Sequence, residues 1–336
     1  MKGMTDMNLN TTYLGFKLPH PLVAGASPMV DDLDTVKRLE DAGVAAIVMH
    51  SLFEEQITRE QEGTILDMEL HNANSAEALS YFPEPGDFRL GPENYLDQVR
   101  RIKEAVSVPV IASLNGTSDT GWLKYASLLE QAGADALELN VYYMATSPKE
   151  TADQVEARTL GILKAVKSAV KLPVAVKLST FHSALPHLAQ QLVEGGADGL
   201  VLFNRFLQPD IDLEHLSAEA TLRLSSPVEL LVRLRWLAIL HGQIKVPMAV
   251  SGGVHSAMDA MKAVAAGASA VQMVSALLMK GPEHLNAVRE EMIHWMEEHE
   301  YQSLQQMKGS MSLEKSPNPL AFTRANYMRM LQGWKG

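Results

Sequence analysis

Two kinds of short apolar segment alternate along the chain, and this alternation limits the fold more than any other feature. Segments of the first kind are AGVAAIVMH (42–50), AGADALELN (132–140), GGADGLVLFN (195–204) and AGASAVQMV (266–274). Each follows a helical pattern, breaks at a glycine and enters an apolar run. A glycine there suits the left-handed cap that ends a helix, and the run suits a strand buried on both faces. Segments of the second kind are HPLVAGAS (20–27), SVPVIASL (107–114), KLPVAVKL (171–178) and KVPMAVSG (245–252). In these a proline precedes the run, where it can begin a strand without breaking a ladder.

Strict alternation of the two kinds predicts eight strands. Helical patterns fill the gaps at Asp32–Ala42, Tyr95–Val106, Gly121–Ala132, Ala152–Val170, Pro186–Gly195, Pro227–His241, Ser256–Ala266 and Glu283–Glu300. Eight strand–helix units in order predict an α/β fold, a TIM (β/α)8 barrel, as one domain spanning residues 1–336. The competing doubly wound sheet would open on G-x-G-x-x-G, whereas the first strand here runs into AGASPMVDD. Two connections exceed the minimum. About forty residues separate His50 from the helix near Pro92, and a second excursion runs from Asn204 to Ser226. The barrel is therefore expected to carry extended loops after strands two and six, both on the face where barrel active sites lie. A helical tail containing TRANYMRMLQ follows Glu300.

Composition narrows the function. Of 336 residues 46% are hydrophobic, enough for a large core, and 40 acidic against 29 basic residues give a net charge of −11. No nucleic-acid partner is expected on that balance. The absence of cysteine excludes disulfides, cysteine-ligated metal centres and a thiol nucleophile. The N-terminus lacks a signal peptide's apolar stretch and no run reaches membrane-spanning length, so a soluble cytoplasmic protein is expected.

The strand ends carry the chemistry in such a barrel. In order they are Ala24–Ser27, His50–Ser51, Ser113–Gly116, Asn140–Tyr143, Lys177–Ser179, Asn204–Arg205, Ser251–Gly253 and Met273–Ser275. This set is rich in amides and hydroxyls, with no cluster suited to a metal and no acid pair for glycoside hydrolysis. Ser251, Gly252 and Gly253 precede a helix, where backbone N–H groups can meet a phosphate, and Ser275 opens a second such turn after strand eight. Lys177 ends an apolar strand, so it is catalytic, matched to an anion on a ligand, or solvated just past the strand. Asn140 and Asn204 occupy equivalent places in two repeats and suit either an amide-bearing ring or a capped turn. His255 and Asp259, at helical spacing, read as surface residues rather than metal ligands.

Over nearly the whole chain these marks resemble the dihydroorotate dehydrogenase family of FMN-dependent barrels. The telling segments are ELN (138–140), VKL (176–178), the asparagine after strand six, SGGV (251–254) and VQMVSAL (271–277). The resemblance implies FMN lined by Ala24, Gly25, Ser51, Asn115, Asn140, Ser251, Gly252, Gly253 and Ser275, with Lys177 beside the N1/O2 edge. It also implies a small-molecule substrate contacted by Asn74, Ser75, Asn140 and Asn204, and a homodimer.

The departures lie on the substrate side. Where the family carries a cysteine or serine base and a following asparagine, this chain has Tyr143 and Ala145. His50 stands where a lysine is common, and Val274 where a glycine is usual. A phenol near pKa 10 is a poor base at neutral pH but a good general acid. The resulting expectation is hydride transfer between flavin N5 and a C–C bond of dihydroorotate or a related compound, with Tyr143 or His50 moving the proton. Two alternatives stand beside it: a Schiff-base aldolase or synthase using Lys177, and a non-catalytic FMN subunit passing electrons to a partner protein. Any iron–sulfur centre in such a route must belong to another chain.

Overall fold

The computed structural model describes residues 7–53, 92–116, 121–141, 143–205, 209–219, 223–323 and 332–333. Thr11–Tyr13 (β1) and Phe16–Leu18 (β2) form an antiparallel hairpin. Leu22–Ala24 (β3), Ile47–Phe53 (β4), Val110–Asn115 (β5), Ala136–Asn140 (β6), Val174–Leu178 (β7) and Gly199–Leu202 (β8) then run parallel to one another. A second hairpin, Asp210–Asp212 (β9) with Ser217–Glu219 (β10), stands in the loop after β8. Met248–Ser251 (β11) and Ala270–Met273 (β12) complete a closed barrel of the eight predicted strands, β12 returning to pair with β3. Closure leaves the barrel no exposed edge.

Eight of the helices below fall where the patterns place them, and Ser275–Lys280, read from sequence only as a turn, is a ninth. They are Leu33–Asp41 (α1), Pro92–Ala105 (α2), Gly121–Gln131 (α3), Ala152–Ala169 (α4), Leu185–Glu194 (α5), Leu230–Leu240 (α6), Ala257–Ala266 (α7), Ser275–Lys280 (α8) and His284–Glu298 (α9). Local chemistry sets their starts. Thr151 and Gln154 close a capping box on α4, and Ser256 with Asp259 does the same on α7. Asp259 is thus the third helical residue of that box and is buried rather than on the surface as expected, its Oδ2 also accepting from the His255 N–H at 3.1 Å. In the tail, Leu304–Met307 (α10) and Leu320–Thr323 (α11) are short helices, and most of TRANYMRMLQ lies outside the described residues.

Period-two alternation along the strands separates two cores. Leu137, Leu139, Val174, Val176 and Leu178 belong to the layer shared with Leu163, Val166, Leu188 and Leu192 of the helices. Inside the barrel, Ala136, Ala175, Ala249 and Ala270 pack with Tyr13, Leu14 and Leu18. The small residues leave room for the first hairpin, which plugs the barrel floor. This hairpin leaves no mark in the sequence, because three-residue strands carry no readable period. Its turn residues Leu14 and Gly15 both have positive φ, +49° and +83°. That geometry matches the tight turn of a two-residue hairpin and places the buried Leu14 side chain in the core. A Cβ on Gly199 would lie 2.9 Å from Leu14 Cδ2, so β8 needs a glycine where it meets the plug.

His20 fastens the start of β3 and is 3% exposed. Its Nε2 lies 2.6 Å from Gly43 O, and its Nδ1 accepts from the Leu22 N–H at 3.2 Å. Only the neutral ring, donating at Nε2 and accepting at Nδ1, satisfies both bonds. Burial accordingly lowers its pKa to about 4.

Two predictions follow from this packing. Leu14→Ala should cost about 2–5 kcal/mol in denaturant unfolding. Gly199→Ala should also destabilise, but the double variant should lose less than the sum, because the truncated leucine leaves space for the new methyl group. For His20, the unfolded ring binds a proton near pH 6.5 and the folded ring only near pH 4. Its contribution is therefore complete above pH 6.5 and fades as pH falls toward 4, by about 3 kcal/mol over that window. Unfolding free energy measured against pH should show this acid limb, and His20→Gln should flatten it.

Candidate active site

Strand register builds the site. Ser51 pairs with Ser113 across β4 and β5, Asn115 with Asn140 across β5 and β6, and Asn140 with Lys177 across β6 and β7. Asn115, Asn140 and Lys177 therefore form a row at one level of the barrel mouth, all three buried. Ser51 Oγ and Ser113 Oγ lie 2.8 Å apart, one layer deeper. Asn204 follows β8, and its Nδ2 donates to Asn140 Oδ1 at 2.7 Å. The two equivalent asparagines of the repeat are thus bonded to each other.

Lys177 is buried and paired within the chain, which excludes the solvated reading. Nor is it left waiting for a ligand's anion, because the chain supplies its counter-ion. Its Nζ donates to Glu138 Oε1 at 3.0 Å, the side chains being 8% and 1% exposed. Glu138 Oε2 accepts from Gln272 Nε2 at 2.6 Å. Two buried charges are tolerated because each is paired and hydrogen-bonded. The available signal was the strand period, since a residue two before the inward Asn140 must also face inward. Below the pair lies Tyr13, whose phenol burial, and then the charge of Glu138, push well above the usual range.

The two glycine- and serine-bearing turns are linked through a third segment. Ser225 donates through N and Oγ to Ser275 Oγ at 2.9 and 2.8 Å, and Ser225 Oγ accepts from the Gly253 N–H at 3.2 Å. Gly253 has φ +83°, and a Cβ there would lie 2.5 Å from Leu230 N, so only glycine fits. Beneath this loop the buried Arg233 donates from Nε to Ser251 O and from Nη1 to Glu229 O, the latter at 2.6 Å. Ser225 and Arg233 were missed because their roles arise only from contacts between distant segments. Ala24 and Gly25 reach the same corner, where the Gly25 N–H donates to Met273 O at 3.0 Å. Val274 leans over this point, its Cγ2 2.7 Å from where a Cβ on Gly25 would stand.

The residues that depart from the family's pattern have partners of their own. Tyr143 donates its hydroxyl to Glu150 Oε2 at 2.5 Å, and the Arg158 guanidinium lies 3.8 Å over its ring. Arg158 Nη2 in turn bonds Glu150 Oε1 at 2.9 Å. The Tyr143 hydroxyl and then Arg158 hold the Glu150 carboxyl below the usual range. Tyr143, Ala145, Glu150, Lys177 and His182 line one cleft of about 330 Å³ between the loops after β6 and β7. Burial lowers the pKa of His182. Glu150, Arg158 and His182 were not singled out in the sequence, where nothing ties them to the strand ends. His50 Nδ1 lies 2.7 Å from Asp31 Oδ1, at the end of the turn after β3. The ring edge meets Tyr95 at 5.1 Å between centroids. Asn74 and Ser75 lie outside the described residues.

Among the described residues no group of three or more His, Asp or Glu could hold a metal, and no helix is long and apolar enough to cross a membrane.

Comparison with known proteins places this geometry. The family profile described as dihydroorotate dehydrogenase matches residues 9–296. The catalytic subunit of dihydroorotate dehydrogenase B (NAD(+)) of Methanocaldococcus jannaschii is 26% identical over 302 residues, covering 88% of this chain and 95% of that protein. The protein of the same name from Methanocella arvoryzae is 30% identical over 279 residues, covering 78% of this chain and 85% of its own. A third, from Pyrococcus abyssi, is 26% identical over 312 residues, with 91% and 98% covered. A profile match of this extent, on a closed (β/α)8 barrel with its polar residues gathered at the strand ends, means that the chain belongs to the dihydroorotate dehydrogenase family, oxidoreductases acting on CH–CH bonds.

Proposed function

We propose that the chain binds FMN across the barrel mouth and transfers hydride between it and a C–C bond of a small carbonyl- or carboxylate-bearing substrate, dihydroorotate or a relative of it. The observation that carries this reading is the opposition of two groups of donors. The row Asn115–Asn140–Lys177 stands on one side of the barrel, and the Ser225–Gly253–Ser275 cluster on the other. The first suits a planar ring rich in heteroatoms, the second a phosphate, as the loops after the last two strands of such barrels commonly do.

FMN supplies the two-electron acceptor or donor for the reaction. The remaining work falls to the chain. Lys177, locked by Glu138, would offer a fixed N–H donor to the flavin edge. Asn140 and Asn204, already bonded to each other, orient the substrate through the amide positions their mutual bond leaves open. Asn74 and Ser75 complete the substrate contacts. Tyr143 shares the cleft with Lys177 and moves the proton at its Oη, with Glu150 and Arg158 fixing the phenol in place. His50, held by Asp31, is the second candidate for that proton. The Schiff-base alternative is not carried forward. An amine hydrogen-bonded to a buried carboxyl would have to leave that partner to attack a carbonyl, and Glu138 would then be left without it.

The relatives named catalytic subunits support a partner protein that exchanges electrons with the flavin. Because the chain has no cysteine, a cysteine-ligated cluster in that route would be the partner's.

The visible spectrum of the purified chain tests the cofactor, and anaerobic addition of dihydroorotate tests the substrate. The reading predicts a flavin spectrum, and bleaching identifies dihydroorotate as a substrate. Bound flavin that stays oxidised would redirect the search to other CH–CH substrates or to the electron-carrying alternative. No flavin after incubation with FMN would overturn the proposal. In the chain with its identified substrate, Tyr143→Phe should lower kcat about 10²–10⁴-fold if its hydroxyl is the general acid. Unchanged turnover in both Tyr143→Phe and His50→Ala would remove the proton roles assigned to them.

A further inference from the structure

We propose that Glu138 sets the charge that the barrel shows to its flavin, acting through Lys177 as a positioning residue, and that it thereby keeps the flavin's reduction potential low. This rests on the FMN reading above.

Glu138 faces Ala175 across the β6–β7 ladder, whereas Asn140 faces Lys177. The carboxylate therefore originates one inward-facing layer, about 7 Å, below the lysine's backbone level. The pair lies in the barrel with the ammonium toward the mouth and the carboxylate toward the plugged floor. Its two members are 3.0 Å apart and nearly inaccessible to solvent. Buried this far, the two charges are screened less than a surface pair would be, so each bears on the other and on anything bound at the mouth. Gln272 holds the other carboxyl oxygen: its Nε2 donates to Glu138 Oε2 at 2.6 Å, so both oxygens of the group are engaged from within the barrel.

A lone ammonium beside a flavin would stabilise the negative charge gained on reduction. Here the ammonium is answered within the protein, so most of its field at the mouth is cancelled. Lys177 thus contributes position and a hydrogen bond while adding little net charge.

Neutralising the carboxylate isolates this effect. Glu138→Gln keeps the volume and can still accept from Lys177, while its new amide can meet Gln272 Oε1, a buried atom with no partner among the described residues. The measurement is the midpoint potential of FMN bound to the intact chain, taken by anaerobic reductive titration against a reference dye. Glu138→Gln should raise it, with reduced FMN gaining at least about tenfold in affinity over oxidised FMN, equivalent to about 30 mV for a two-electron couple. The Glu138→Gln/Lys177→Met chain, whose neutral pair leaves no buried charge unpaired, should return close to the parent potential.

An unchanged potential in flavin-loaded Glu138→Gln overturns the inference alone. So does a double variant about tenfold or more below the parent, which would mean that Lys177 acts as an unanswered cation. That second arm holds even if Glu138→Gln folds poorly. A parent chain that takes up no FMN overturns the flavin reading, and this inference with it.

Discussion

A carboxylate near the axis of a closed barrel has to be answered from inside the barrel, and Glu138 organises the upper half of this molecule around that requirement. Lys177 from one neighbouring strand and Gln272 from β12 both reach it. Removing one partner of such a buried pair commonly costs about 3–5 kcal/mol, because the other charge is left unpaired. The requirement links three of the eight strands through side chains as well as ladders. It also fixes the lysine's ammonium without help from a ligand, so the site is assembled before anything binds. Pre-assembly of this kind spares a hydrogen-bond donor any reorganisation during reaction.

The lower half meets a different constraint. Eight inward-facing strands enclose a volume that must be filled, and the alanines of β6, β7, β11 and β12 leave it partly empty. The first hairpin fills it, with Tyr13, Leu14 and Leu18 entering from the floor. Thr11 ties this plug to the barrel by donating from Oγ1 to Ser269 O at 2.9 Å. Floor and mouth thus divide the labour seen in many such barrels, stability below and chemistry above. The two zones meet where the Tyr13 phenol feels the charge of Glu138.

The parts of this arrangement legible in the sequence were those with a local cause. Glycine and proline punctuate every barrel strand, and the helical gaps between them are long enough for a period to show, so strands and helices could be placed to within a few residues. The row Asn115, Asn140, Lys177 was legible as three strand ends, although its common level follows from register. What could not be read depends on distance. Ser225 matters because Ser275 and Gly253 are brought to it from 50 and 28 residues away. Glu138 was passed over as part of a family signature, although the inward position of Asn140 already required it to face the barrel interior. The hairpins were invisible because strands of three residues lack a period, and the plug's leucine sits in a turn that composition would assign to glycine or asparagine.

The substitution of Tyr143 reaches beyond its own position, because the phenol has acquired a carboxylate. In the oxidative direction, a tyrosine serving as base must first give up its own proton, and the nearest acceptor is Glu150. That carboxyl is held below its usual range by the same hydroxyl and by Arg158, which makes it a weak acceptor. A phenol ordinarily titrates more than five pH units above a carboxylic acid, so this transfer is steeply uphill even before the depression is counted. The Arg158 cation 3.8 Å over the ring eases the cost of a phenolate without removing it. In the reductive direction no such transfer is needed. The neutral phenol breaks one hydrogen bond and donates to a carbanion or enolate, which is far more basic than either group. Within the proposed reaction, the Tyr143–Glu150–Arg158 arrangement therefore favours protonation over abstraction.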